Sequence, residues 1–227
     1  MSETAVVVGV GPGLGAALVN AFAEAGYSVL AAARNASKLG ALARDKRVVP
    51  FECDATVPEQ VDALFDRASS LGTLRVAVFN AGTFERGFVV DTEPAHFERC
   101  WRVGAFGGFL VGRAAARRML PHGQGTILFT GATASLRGGA GFVNLASPKF
   151  ALRAVAQSLA RELDPKGIHV AHVIIDGQIR SEERGRKDDA DGLLDPQAIA
   201  QNYVALHRQH RSTWTHEMDL RPWIENF

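Results

Sequence analysis

An α/β fold built on a doubly wound parallel sheet follows from three features of the sequence. Short β-branched apolar runs alternate with segments of helical periodicity. No internal linker interrupts that alternation from Ala5 to Ile175. Glycines at every second position, Gly9, Gly11, Gly13 and Gly15, stand between the first apolar run and the first helical segment. At 227 residues and 47% hydrophobic content, the chain is sized for one domain over 1–227 with a substantial core.

The elements follow in order. Ala5 to Val10 reads as a buried strand, and Gly13 to Ala25 repeats small and apolar residues at helical spacing. Ser28 to Ala33 is the second strand, Ser37 to Arg44 a helix after a polar turn, and Arg47 to Glu52 the third strand. Thr56 followed by Glu59 has the form of a capping box for a helix through Ser69. Val76 to Phe79 is the fourth strand. Pro94 and Pro121 bracket a long helical region in which Gly104, Gly107, Gly108 and Gly112 permit close backbone approach. Thr126 to Phe129, the helix Leu145 to Leu163 and the strand His169 to Ile175 complete the alternation.

Beyond Asp176 the pattern changes. Ser181 to Asp195 is charged and weakly periodic, which reads as a mobile surface segment within a variable region 181–210, and Pro196 opens a helix to about Gln209. The tail 211–227 holds two of the three tryptophans but no strand or helix period; it packs on its own core or on a partner subunit.

Composition narrows the function. A net charge of +1 without a basic stripe gives no electrostatic basis for nucleic-acid or membrane-surface binding, so small molecules are the expected partners. No apolar run approaches the roughly 18 residues of a membrane span, and no secretory leader is evident, so a cytoplasmic location is expected. Cys53 and Cys100 lack metal-ligand spacing and read as reduced, partly buried residues. His207 and His210 read as a solvated pair, and no metal site is expected.

The glycine run carries the chemistry. Without Cβ atoms the backbone can approach a pyrophosphate, and the helix that follows offers unpaired N–H groups and a favourable dipole. Gly9, Gly11, Gly13, Leu14 and Gly15 are therefore candidate dinucleotide contacts in a Rossmann fold. The spacing of Gly9, Gly13 and Gly15 resembles that of the short-chain dehydrogenase/reductase family. Asn80-Ala81-Gly82 is similar to that family's Asn-Ala-Gly motif, Asp54-Ala55 to its adenine-contacting turn, and Lys149 to the lysine of its Tyr-x-x-x-Lys motif. The likeness runs from about Ala5 to Ser181.

At the end of the second strand, Arg34 and Asn35 stand where NAD-selective relatives place an acid. A guanidinium there suits a 2′-phosphate, which favours NADP(H) over NAD(H); the alternative for Arg34 is a solvated loop residue. Pro12 occupies a place where many NADP-binding relatives carry a second basic residue. Asp176-Gly177-Gln178-Ile179-Arg180-Ser181 resembles the family's Pro-Gly segment, and by that match Gly177, Ile179 and Ser181 face the nicotinamide carboxamide.

The resemblance also exposes a departure. Four residues before Lys149, where the family keeps its tyrosine acid, stands Leu145; the serine position is Ala132 and the asparagine position Gly104. None of these side chains handles a proton, and general acid catalysis is worth about 10²- to 10⁴-fold. Thr133, with Ser135 nearby, is the candidate substitute, whereas Asn144 and Ser147 point away from the Leu145/Lys149 face. Lys149 is expected to hold the nicotinamide ribose, and Arg137 is a pocket-border or surface residue.

Two readings follow. One is an atypical NADP(H)-dependent oxidoreductase for a small molecule; the other is a non-catalytic nucleotide-binding or partner subunit. The resemblance implies a homodimer or homotetramer joined through Pro94 to Met119 and Leu145 to Leu163, where Ala151, Ala154 and Val155 suit close packing.

Overall fold

The computed structural model describes residues 2–181, 185 and 191–224. Seven strands form one sheet: β1 (Glu3–Val8), β2 (Ser28–Ala33), β3 (Val48–Glu52), β4 (Thr73–Phe79), β5 (Gly125–Thr130), β6 (Ile168–Ile175) and β7 (Glu217–Leu220). Their order is β3-β2-β1-β4-β5-β6-β7, and every pairing is parallel. Among the described residues six α-helices flank the sheet: α1 (Leu14–Glu24), α2 (Pro58–Leu71), α3 (Pro94–Trp101), α4 (Gly107–Met119), α5 (Val143–Leu163) and α6 (Pro196–His207). This is the single-domain Rossmann architecture the alternation predicts.

The core forms two layers, one on each face. Phe22 and Leu18 of α1 pack with Tyr203 and Val204 of α6 on one side; Phe65 of α2, Leu110 and Val111 of α4 and Leu152 of α5 pack on the other. Strands covered on both faces read as continuous apolar runs, which is why β1 and β6 are conspicuous in the sequence. Strand order reverses between β1 and β4, so a crevice opens beyond their C-terminal ends. No described helix is long and apolar enough to cross a membrane.

Four local readings need correction. Ser37 to Arg44 is not an α-helix but two 3-10 turns, Ala36–Leu39 and Leu42–Arg44, the first capped by Asn35 Oδ1 accepting from Ser37 N–H at 3.0 Å. The capping box at Thr56 does not form. Thr56 N–H and Oγ1–H both donate to Asp54 Oδ1 at 2.8 Å, and α2 starts at Pro58, whose fixed φ suits a first helical position.

The region between Pro94 and Pro121 breaks into α3, a π-helical segment Arg102–Phe106, and α4. Close packing on α5 needs its glycines. A Cβ on Gly104 would lie 2.8 Å from Pro148 Cβ, and one on Gly112 would lie 2.7 Å from Leu159 Cδ1.

The fourth correction is the tail, which supplies β7. His172 N–H donates to His216 O and Asp176 N–H to Leu220 O, each at 2.8 Å, so the tail satisfies the open edge of β6. Met218 and Leu220 pack on the α1/α6 layer, and the Trp214 ring stacks on His169 with centroids 4.8 Å apart. The intramolecular alternative for the tail is the one observed. Of the surface segment Ser181 to Asp195, residues 182–184 and 186–190 lie outside the described residues.

Candidate active site

The crevice is built from the glycine run upward. Gly9 has φ +89°, and its N–H and that of Val10 both donate to Ala32 O at 3.0 Å, which turns the chain sharply off β1. Asn80 clamps the turn from β4: its N–H donates to Val8 O at 2.8 Å and its Nδ2 to Gly9 O at 3.0 Å. A Cβ on Gly15 would lie 2.7 Å from Val10 Cα. Gly9 and Gly15 are thus packing glycines.

Gly11 and Gly13 differ. A Cβ on either would meet nothing within 4 Å, so both border open space. Beside them α1 begins at Leu14 with no side-chain cap. Its first N–H groups lack side-chain acceptors and its positive dipole end faces the crevice, a ready anion site.

At the adenine end, Arg34 and Asn35 are exposed just past β2, and no hydrogen bond or ion pair joins Arg34 to another described residue. Cys53 N–H donates to Ala33 O at 3.0 Å, which brings Asp54 and Ala55 alongside. Asp54 is occupied locally, accepting from Thr56 and donating its N–H to Gln60 Oε1 at 2.7 Å. Ala55 also supports α4, because a Cβ on Gly107 would lie 3.2 Å from its carbonyl oxygen.

At the other end, Lys149 is buried on α5. Its Nζ donates to Thr130 O at 2.6 Å, and a Cβ on Gly82 would lie 3.8 Å from that same nitrogen. Burial alone pulls its pKa from 10.5 down to about 8. Ala81 and Gly82 lie beside Gly9 and Lys149 respectively, so the Asn80-Ala81-Gly82 turn links the two ends of the crevice. Leu145, half-buried, sits one turn before Lys149 on α5; Ala132 opens the 3-10 turn Thr133–Ser135; Gly104 is buried in the π segment.

After β6, Gly177 has φ +146° with Pro222 packed on it. Ile179 bridges Leu194, and Arg180 N–H donates to Leu194 O at 2.9 Å. Arg180 also forms an ion pair with Asp195. Ser181 is half-buried at the limit of this described stretch. Arg137 is exposed, and Asn144 is buried away from solvent near Gly87.

Four side chains that no sequence signal marked, Arg153, His172, Glu217 and Arg221, join Thr133, Ser135 and Asp176 in two polar chains. Thr133 Oγ1 donates to Asp176 Oδ1, and Asp176 Oδ2 lies 3.8 Å from Arg221 Nη2. Ser135 Oγ accepts from Ala132 N–H at 3.1 Å and stands 3.4 Å from His172 Nε2. His172 Nδ1 in turn lies 3.2 Å from Glu217 Oε2, and Arg153 clamps Glu217 with two contacts of 2.7 Å.

The direction of that second chain is set by electrostatics. Burial pulls His172 down to about 4, so its ring is neutral at pH 7. Burial opposes ionisation of Glu217, but the hydrogen bonds and charge of Arg153 hold it below the usual carboxylate range. Glu217 therefore accepts from His172 Nδ1–H, and Nε2 is left to accept from the Ser135 hydroxyl. The tail strand reaches the wall of the crevice through this chain.

The only tyrosine near Thr130, Tyr203, is fully buried on α6, and its hydroxyl pairs with Thr130 Oγ1 at 2.8 Å in the opposite layer from α5. Burial raises its pKa further, so it offers no acid to the crevice. Both cysteines are buried and free, and burial followed by the charge of Asp54 raises Cys53 to about 11. Glu85, His96 and Cys100 bring ligand atoms within 4.8 Å of one another, but Arg99 shares the Glu85 carboxylate at 3.6 Å, which marks the group as an ion-pair cluster.

His207 corrects the solvated-pair reading. Its ring bridges Tyr27 OH at 2.7 Å and Thr126 Oγ1 at 2.9 Å, and burial pulls it to about 4; only His210 is exposed. Histidines held neutral in the fold cost nothing above pH 6.5, where the unfolded chain is also neutral. As pH falls from 6.5 towards 4 the unfolded state takes up protons that the fold refuses. His172 and His207 should each then remove up to about 3 kcal/mol. Urea unfolding at pH 7.0, 5.5 and 4.5 checks this, and His207→Gln should make the loss shallower; an unchanged midpoint down to pH 4.5 would contradict it.

Comparison with known proteins agrees with this geometry. A family model described as short chain dehydrogenase matches residues 3–190. The (21S)-21-acetoxyl-apo-melianone synthase of Melia azedarach is 33% identical over 174 residues, covering 74% of this chain and 64% of that protein. The chain thus spans a little under two thirds of the length of that relative. A short-chain dehydrogenase of Rhodopseudomonas palustris has a crystal structure that superposes with a TM-score of 0.87 at 42% identity, covering 97% of this chain and 99% of that one. An alcohol dehydrogenase of Thermococcus sibiricus, complexed with 5-hydroxy-NADP, shares the fold at a TM-score of 0.88 and 22% identity, covering 100% and 99% of the two chains.

Proposed function

The chain belongs to the short-chain dehydrogenase family, and on that premise we propose that it is an NADP(H)-dependent oxidoreductase that acts on a small molecule without the usual tyrosine acid. The observation that carries this reading is the uncapped start of α1 beside the open space at Gly11 and Gly13. That cradle fits a pyrophosphate. Gly9, Gly11, Gly13, Leu14 and Gly15 would hold it, Asp54, Ala55, Asn80, Ala81 and Gly82 would line the adenosine side, and Lys149, Gly177, Ile179 and Ser181 the nicotinamide side.

Bound there, the nicotinamide supplies or accepts a hydride. The chain's own residues orient it and manage the proton. Leu145, Ala132 and Gly104 occupy the positions that the family gives to tyrosine, serine and asparagine, so the proton must be handled elsewhere or supplied by the substrate. The same three residues favour the second reading, an inactive partner of an active subunit; nucleotide-coupled turnover by this protein would overturn it. The reading includes assembly as a homodimer or homotetramer through α3 to α5, whose Trp101, Phe109 and Phe150 are exposed.

The choice of NADP(H) rests on Arg34. Its guanidinium has no partner among the described residues, which leaves its fork for a 2′-phosphate. Hydrogen bonds to charged groups contribute about 1.5–3 kcal/mol, so Arg34→Asp should weaken NADPH roughly 10- to 100-fold and leave NADH unchanged or tighter. Fluorescence titration with both nucleotides measures it. Failure of the wild type to bind either nucleotide would remove the proposal.

A further inference from the structure

Three polar connections converge on the C-terminal end of β5, and they differ in what they can do for a substrate. Lys149 Nζ is directed at Thr130 O. Ser135 is fully buried, so its chain through His172 and Glu217 ends beneath the surface of the crevice. Thr133 alone is a half-buried hydroxyl joined to an ionisable oxygen acid, Asp176.

The arrangement is held from several sides. Asp176 is 4% exposed at the end of β6, and β7 fixes its backbone through the 2.8 Å bond to Leu220 O. Thr133 opens a 3-10 turn whose preceding residue, Ala132, is tied by its N–H to Ser135 Oγ. Arg221 Nη2 lies 3.8 Å from Asp176 Oδ2 and also pairs with Asp219. Lys149, the nearby cation of α5, is turned to Thr130. The Thr133 hydroxyl hydrogen is donated to Asp176 Oδ1, and the two Oγ1 lone pairs remain to accept a proton from an alcohol.

We propose that Thr133 and Asp176 form a proton relay that serves the oxygen of a secondary alcohol or its ketone in the absence of the tyrosine. This rests on the nicotinamide-dependent reading above. In the oxidative direction the substrate O–H bond breaks and its proton passes to Thr133 Oγ1, while the Thr133 proton passes to Asp176 Oδ1. The substrate C–H bond breaks with its electron pair, which leaves as hydride to an oxidised nicotinamide dinucleotide, and the C=O bond forms. Carbonyl product, reduced nicotinamide and the Asp176 carboxylic acid balance the step; the acid then returns its proton to water. Reduction runs the same path backwards. Thr133 touches the substrate, and Asp176 acts through it as the terminal acceptor.

The test uses the full chain with NADP⁺ and a panel of aliphatic, cyclic and aromatic secondary alcohols between pH 5 and 9. Thr133→Val and Asp176→Asn should each lower kcat at least about 100-fold with NADPH fluorescence binding unchanged, and Thr133→Ser should restore most of the rate. A second measurement needs neither substrate nor nucleotide. Carbon NMR of the Asp176 carboxyl in the unliganded protein at fixed pH should show a displaced resonance in Thr133→Val, because the hydrogen bond donated by Thr133 Oγ1 has been lost. No alcohol oxidised by a wild type that binds NADPH, turnover surviving in Thr133→Val, or an unmoved Asp176 carboxyl resonance would each overturn the relay. Absence of NADPH binding would instead remove the reading on which it rests.

Discussion

Gly9→Ala is expected to cost the fold about 3 kcal/mol or more and to abolish nucleotide binding with it, whereas Gly11→Ala should leave unfolding unchanged and weaken NADPH alone. At φ +89° a side chain costs roughly 1–2 kcal/mol in backbone conformation. The new methyl would also lie 2.5 Å from Ala81 Cα and 2.8 Å from Ala81 Cβ. Neither atom is a flexible tip; both belong to the turn that leaves β4. Moving that turn disturbs the Asn80 hydrogen bonds to Gly9 O and Val8 O, and overpacking of this kind adds about 1–3 kcal/mol. At Gly11 a Cβ meets nothing within 4 Å, so its methyl falls in the crevice. Urea melts and fluorescence titrations on both variants separate a packing glycine from an approach glycine. Equal stability of the two variants would refute the distinction.

That contrast marks what the sequence reveals and what it conceals. Spacing identifies the glycine run as a nucleotide cradle, but it does not divide the labour among the four glycines, which depends on what lies across from each. Six strands are legible because burial on both faces leaves continuous apolar runs such as Ala5-Val6-Val7-Val8. β7 is not, because Glu217-Met218-Asp219-Leu220 is short and half polar; it is a strand only because the edge of β6 offers it hydrogen-bond partners. Local chemistry misled at Thr56, where Asp54 captured the hydroxyl and Pro58 set the helix start.

The site divides in the same way. Arg34, Lys149 and the Asn80-Ala81-Gly82 turn are legible because each lies in a short motif of fixed order. The Thr133–Asp176 pair is 43 residues apart in sequence, and the chain from Arg153 to Ser135 draws on α5, β6, β7 and a 3-10 turn. No local pattern encodes such meetings; the parallel sheet makes them by setting the ends of β5, β6 and β7 side by side. Asp176 shows the consequence most clearly. As a sequence letter it is only the first residue of a segment that resembles the family's Pro-Gly turn, and in the fold it is the anchor of Thr133.

Lys149→Met should make the protein more stable at pH 7 by about 1–2 kcal/mol while weakening NADPH. Burial without an acidic partner moves the Lys149 pKa from 10.5 to about 8, so keeping the ammonium in the fold at pH 7 costs up to about 3 kcal/mol. Methionine fills similar volume and carries no charge, but it leaves Thr130 O without its 2.6 Å donor, which returns about 1–2 kcal/mol of that gain. The sign of the pH dependence provides a second check. Between pH 8 and 10.5 the unfolded lysine is protonated and the folded one is not, so the wild type should gain stability from this group as pH rises through that window, and the variant should not. Urea-derived stabilities at pH 7.0 and 9.5 measure both effects, and a variant less stable than the wild type at pH 7 would refute the argument. A fold that retains a buried cation at such a cost has a use for it outside packing; an anionic nucleotide in the crevice beside Gly82 would lower that cost on binding, which couples the stability of α5 to the occupancy of the site.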